Sequence, residues 1–64
     1  MNGHNPKAYD RALKAIRQSR EAVEALIDAT PREDTYTLAR LGPILAELRA
    51  AEEILDAMEL PYNA

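Results

Sequence analysis

Lys7, Arg11, Lys14, Arg17 and Arg20 are five of the eight Lys and Arg residues in a chain of 64. Asp10 is the only acid among them. Cations at this density, with Tyr9 in their midst, can hold an anion: ammonium and guanidinium groups converge on phosphate oxygens while an aromatic ring offers a stacking face. Residues 1–20 carry +4 (five cations less one acid) and residues 21–64 carry −7 (three cations against ten acids), an asymmetry hidden inside a net charge of −3. The stripe has a second reading, as the electrostatic complement of the chain's own acidic half. Cations near a helix N-terminus oppose the macrodipole, and so do Glu52, Glu53, Asp56 and Glu59 near a helix C-terminus. An antiparallel pair of helices sets one misplacement beside the other.

Catalytic chemistry finds little to work with. The chain has no Cys, a single His (His4) and a single Ser (Ser19), so thiolate chemistry, a Ser-His pair and a multi-His metal site are all missing their parts. Glu21 with Glu24, and Glu52 with Glu53 and Asp56, fall on amphipathic patterns, where acids are expected to be solvated faces. Glu-x-x-His, the mark of a di-iron bundle, does not occur. A non-enzymatic protein without a cofactor is expected. The pI near 5 speaks against general nucleic-acid binding. No uncharged run is long enough to cross a bilayer, and Met1–Asn5 has neither the charged nor the apolar region of a signal peptide, so a cytoplasmic location is expected.

The elements that must position these side chains are helices, because the apolar content is Ala, Leu and Ile rather than aromatic or Val. Asn5-Pro6 reads as a cap followed by the first helical position. Tyr9, Leu13, Ile16, Val23 and Ile27 keep a 3–4 spacing, which predicts a helix over about 6–29. Ala8, Ala15, Ala22 and Ala29 recur every seven residues with Ala12 and Ser19 beside them, so one flank permits close helix approach. Thr30-Pro31-Arg32-Glu33 is a possible capping box, with a rival start at Asp34 or Thr35. Leu38, Leu41, Leu45, Leu48 and Leu55, widened by Ile44, Ile54 and Met58, predict a second helix over about 31–59. Gly42-Pro43 should kink it or split it into 31–41 and a fresh helix from Pro43. Pro61 should end it. Tyr36 and Tyr62 flank this helix.

Both apolar seams contain an intruder. Arg20 stands in the heptad between Ile16 and Val23, and Glu52 between Leu48 and Leu55. Folding about residues 30–35 brings the two within about two helical turns. Either they snorkel from the seam edge, or they form an internal or intersubunit pair that fixes register, or Arg20 is held for an anionic ligand.

The segments Tyr9-Asp10-Arg11-Ala12-Leu13-Lys14-Ala15-Ile16, Thr30-Pro31-Arg32-Glu33-Asp34 and Leu45-Ala46-Glu47-Leu48-Arg49-Ala50-Ala51-Glu52-Glu53 together resemble the small helical-hairpin proteins of bacteriophages that sequester cyclic nucleotides of bacterial defence systems. The resemblance covers roughly residues 6–60. It implies ligand pockets between subunits, built from an early-helix Tyr and basic residues, which fall here on Tyr9, Lys7 and Arg11. The expectation is an all-α helical hairpin, residues 1–64 as one domain, that self-associates into a helical bundle, since a chain this small without disulfides or metal has self-association left to stabilise it. Its site is expected at Lys7, Tyr9, Arg11, Lys14 and Arg20, sequestering a small anionic nucleotide. The alternative is a small interaction module that inhibits a host protein through its apolar seam.

Overall fold

The computed structural model describes residues 6–63, with side-chain surroundings over residues 7–58. Two helices, α1 (Pro6–Ala29) and α2 (Thr35–Asn63), pack against one another as a hairpin. The Asn5 cap and the side chains of Glu59 and Tyr62 lie outside the described residues. The all-α hairpin expected from the 3–4 periodicity is therefore what the chain forms.

The seam is the one the spacing marks. Tyr9, Ile16, Val23 and Ile27 of α1, and Leu38, Leu41, Leu45, Leu48 and Leu55 of α2, are half-buried, and Leu13 is 3% exposed. Leu13 is the only fully buried hydrophobic side chain among the described residues. Two helices can cover only one stripe of each other, so the remaining apolar side chains stay in contact with water.

The turn follows the rival start and not the capping box. Thr30 closes α1 instead of opening α2: its N–H donates to the Ile27 carbonyl at 3.1 Å and its hydroxyl to the Leu26 carbonyl at 2.7 Å. Asp34 is the cap of α2, because its Oδ1 accepts from the Thr37 N–H at 3.1 Å. That bond, made with both the backbone and side chain of Thr37, holds the Asp34 carboxyl below its ordinary range. Asp34→Ala is expected to fray the first turn of α2 and lower Tm by a few degrees. A circular-dichroism melt checks it. An unchanged midpoint would show that the cap bond contributes nothing.

Gly42-Pro43 does not divide α2, which is one continuous helix, and Pro61 does not stop it short of Asn63. Proline at position 43 removes the bond to the Ala39 carbonyl. Both residues are exposed, so water can satisfy that carbonyl, and nothing lies within 4 Å of a Cβ built on Gly42. The cost of the proline is met on the solvent side, away from the packed seam.

Candidate functional site

Arg20 and Glu52, the two intruders, meet. Arg20 donates from Nε to Glu52 Oε1 at 2.6 Å, and Arg17 donates from Nε to Glu52 Oε2 at 2.7 Å. Arg20 also donates from Nη1 to Glu24 Oε1 at 3.0 Å, and Arg49 donates from Nη2 to Glu24 Oε2 at 3.2 Å. Arg17 Nη2 lies 3.9 Å from Asp56 Oδ1. The result is an alternating series, Asp56, Arg17, Glu52, Arg20, Glu24, Arg49, laced across both helices along one flank of the hairpin.

The geometry explains the electrostatics. The Arg20 and Arg17 guanidiniums hold the Glu52 carboxyl below the usual glutamate range. Glu52 in turn raises both arginines, chiefly through the hydrogen bonds it accepts. With side chains 22% and 18% exposed, Arg20 and Glu52 are the least solvated ionic pair among the described residues. The internal pair is thus formed at the seam itself, and Glu24 and Glu52 are half-buried and ion-paired instead of standing on a solvated face. Of the stripe cations, Arg17 and Arg20 reach Glu52 in the acidic half of the chain. Lys14 instead pairs within α1, with Asp10 at 3.1 Å.

The remaining candidate residues go elsewhere. Lys7, Arg11 and Lys14 are exposed and Tyr9 is half-buried. At 100° per residue Lys7, Arg11 and Lys14 fall on the outer side of α1, turned from α2, while Arg20 points into the seam. The hairpin therefore separates Arg20 from the other basic candidates. The surface clefts lie at the opposite end: one is lined by Ile27, Asp28, Thr30, Arg32 and Leu38, a second by Glu24, Ile27, Asp28, Leu45 and Arg49. Among the described residues no group of His, Asp or Glu is arranged to hold a metal ion, and no helix is long and apolar enough to cross a membrane.

The flank opposite the ion pairs has a different character. On α1 it is built from Ala8, Ala12, Ala15, Ser19, Ala22, Leu26 and Ala29, all exposed and none charged. On α2 it carries Ile44, Ala51, Ile54 and Met58, with Arg40 and Glu47 between Ile44 and Ile54 around the helix. Leu26, Ile44, Ile54 and Met58 are each between 43% and 61% exposed. Sequence reading found the small-residue row of α1 but treated Ile44, Ile54 and Met58 as part of the seam. Their heptad offset from Leu41, Leu48 and Leu55 is the signal that assigns them to a second surface.

Compared with known proteins, the chain matches no family model, no curated protein and no solved structure.

Proposed function

We propose that the chain is a non-enzymatic binding protein that works by protein–protein contact, the ion-paired flank keeping the hairpin closed and the opposite flank, rich in exposed Ala, Ile and Met, serving as its docking face. The observation that carries this is the sorting of side chains. Every interhelical ion pair among the described residues lies on one flank, and the large exposed aliphatic residues lie on the other. A helix apolar on more than one side is ordinarily covered on more than one side, and α2 places Leu45 and Leu48 toward α1 but Ile44 and Ile54 away from it. Contiguous exposed apolar surface marks an interaction site. The apolar seam itself is taken up between α1 and α2, so the interaction-module reading moves from the seam to this flank.

Anion capture is the second reading, favoured by the exposure of Lys7, Arg11 and Lys14 together on the outer side of α1. In that reading Tyr9 and the three cations hold a cyclic nucleotide between subunits, as the phage-type sponges imply. Arg20 would take part only by leaving Glu52 and Glu24.

One experiment separates the two. Tagged parent protein and Ile54→Glu are used to capture partners from a lysate of the source cells, and both are titrated calorimetrically with cyclic di- and trinucleotides. Docking through the flank predicts a stoichiometric protein that the parent retains and Ile54→Glu loses, with no heat from nucleotides. Equal capture by the two proteins, with self-association also unchanged by Ile54→Glu, defeats the docking face, and heat that survives Ile54→Glu but not Arg11→Ala establishes the anion site in its place.

A further inference from the structure

We infer that the occupant of the flank opposite the ion pairs is a second copy of this chain, seated with the two-fold axis parallel to the long axis of the hairpin, so that α1 of each copy packs on α2 of the other. The inference rests on the docking reading above and names its partner.

The register of the hairpin supplies the argument. Arg17 reaches both Asp56 and Glu52, Arg20 reaches Glu52, and Arg49 reaches Glu24, so the helices run past one another in a register fixed to within about a turn. Two residues back along α1 are two residues on along α2. Ala15, Ala22 and Ala29 therefore lie within about a turn of Met58, Ala51 and Ile44 in height, and Ser19 within about a turn of Ile54. The small side chains of the flank belong to α1 and most of its bulky ones to α2, at matching heights.

Turning a second copy about the long axis lays each α1 over the partner's α2 at the same height. Small then meets large over most of the face, Ala22 against Ala51 apart, the condition for close interdigitation. The same surface supplies knobs and holes, as a self-complementary two-fold interface requires. The other two-fold arrangement, with copies end to end reversed, sets α1 on α1 and α2 on α2, so that Ala rows face Ala rows and Ile54 crowds Ile54.

Size and charge agree with this occupant. A helix of 24 residues is about 36 Å long, and the hairpin is 18 Å across. The face is then roughly 650 Å² in projection, close to the ~800 Å² that each partner of a standard stable interface buries. The interhelical ion pairs Arg17–Glu52, Arg20–Glu52 and Arg49–Glu24 lie on the other flank and stay intact when this face is covered. With Leu13 the one buried hydrophobic side chain among the described residues, the hairpin is also short of core, and a second copy supplies it.

The test uses sedimentation, melting and engineered cysteines. The parent should sediment as a dimer, with a Tm that rises with protein concentration. Ala22→Arg, a charge set into the interface, should weaken dimerisation by roughly a hundredfold or more, whereas Glu21→Arg, one residue away on the outer side, should leave it unchanged. The parent has no cysteine, so introduced thiols report cleanly. Mixed Ala15→Cys and Met58→Cys chains should form a heterodisulfide in preference to either homodisulfide.

If Ala22→Arg fails to fold, the concentration dependence of the parent and the cysteine pairing still decide the matter. A parent that stays monomeric at all concentrations overturns the inference, as does indiscriminate disulfide pairing. A monomer that captures a foreign protein through Ile54 leaves the docking reading standing and removes only the second copy. A monomer whose capture is indifferent to Ile54→Glu removes both.

Discussion

Leu13→Ala is expected to lower the stability of the hairpin by about 3 kcal/mol, within the range for truncating a buried leucine. Leu13 is 3% exposed, and no other hydrophobic side chain among the described residues is fully buried. Removing it leaves a void at the place where the two helices have most to lose, and a partial collapse of a two-helix seam can refill little of it. In a small domain whose whole stability is a few kcal/mol, that loss unfolds a large share of the molecules. Leu26→Ala is the control. Leu26 is 51% exposed, so at low concentration its truncation should cost well under half as much. Urea unfolding followed by circular dichroism measures both, and equal losses would mean that Leu13 is not the centre of the seam.

The second large effect belongs to Glu52. It accepts from both Arg17 and Arg20, so Glu52→Ala strips two guanidiniums of their shared partner. Arg20 keeps Glu24, which cushions the loss, but the link across the seam is gone. A double-mutant cycle on Arg20→Ala and Glu52→Ala should give a clear favourable coupling. The same cycle on Arg49 and Glu24, whose side chains are 60% and 35% exposed, should give a value near zero, since solvated pairs contribute little. Coupling of equal size in both cycles would remove the claim that position in the seam is what matters.

The pH dependence of the parent follows from the same pair. The folded carboxyl of Glu52 is held below its unfolded value, so the unfolded state binds the proton first. Stability from this group is fully present above the unfolded value and is lost as the pH falls through about 4 and below. Asp34, also depressed, acts in the same direction. Glu52→Gln should therefore be less stable than the parent at pH 7 and converge toward it at pH 3. Melts at the two pH values check it, and parallel curves would show that Glu52 is not held in its charged form by the fold.

Much of this architecture was legible from residue spacing. The 3–4 recurrence from Tyr9 to Ile27 and from Leu38 to Leu55 named both helices and the stripe each presents, because an apolar face on a helix has one way to leave water. Positions 20 and 52 were visible as exceptions for the same reason. The turn was ambiguous: Thr30-Pro31-Arg32-Glu33 satisfies the capping pattern as well as Asp34 satisfies its own, and the structure starts α2 at Thr35. At Gly42-Pro43 the split that was one of the two expected outcomes does not occur, since α2 runs through it. Local preference marks a proline as a break, but it does not say that the orphaned carbonyl faces water while the other side of the helix is held by the seam.

The candidate site shows where sequence stops. Residue types alone determined that the chain is helical, that it lacks the parts for thiol or multi-histidine chemistry, and that its charge is divided between its halves. Five cations in fourteen positions have the same composition whether they bind a ligand or one another. The tertiary structure decided that Arg17 and Arg20 belong to Glu52, that Lys7, Arg11 and Lys14 face outward, and that the small-residue row of α1 and the exposed Ile44, Ile54 and Met58 of α2 share one flank. Those outcomes depend on the rotation and axial register of α1 against α2. Local propensities do not set either quantity. The packing of Leu13 and its neighbours does, together with the ion pairs that lock it.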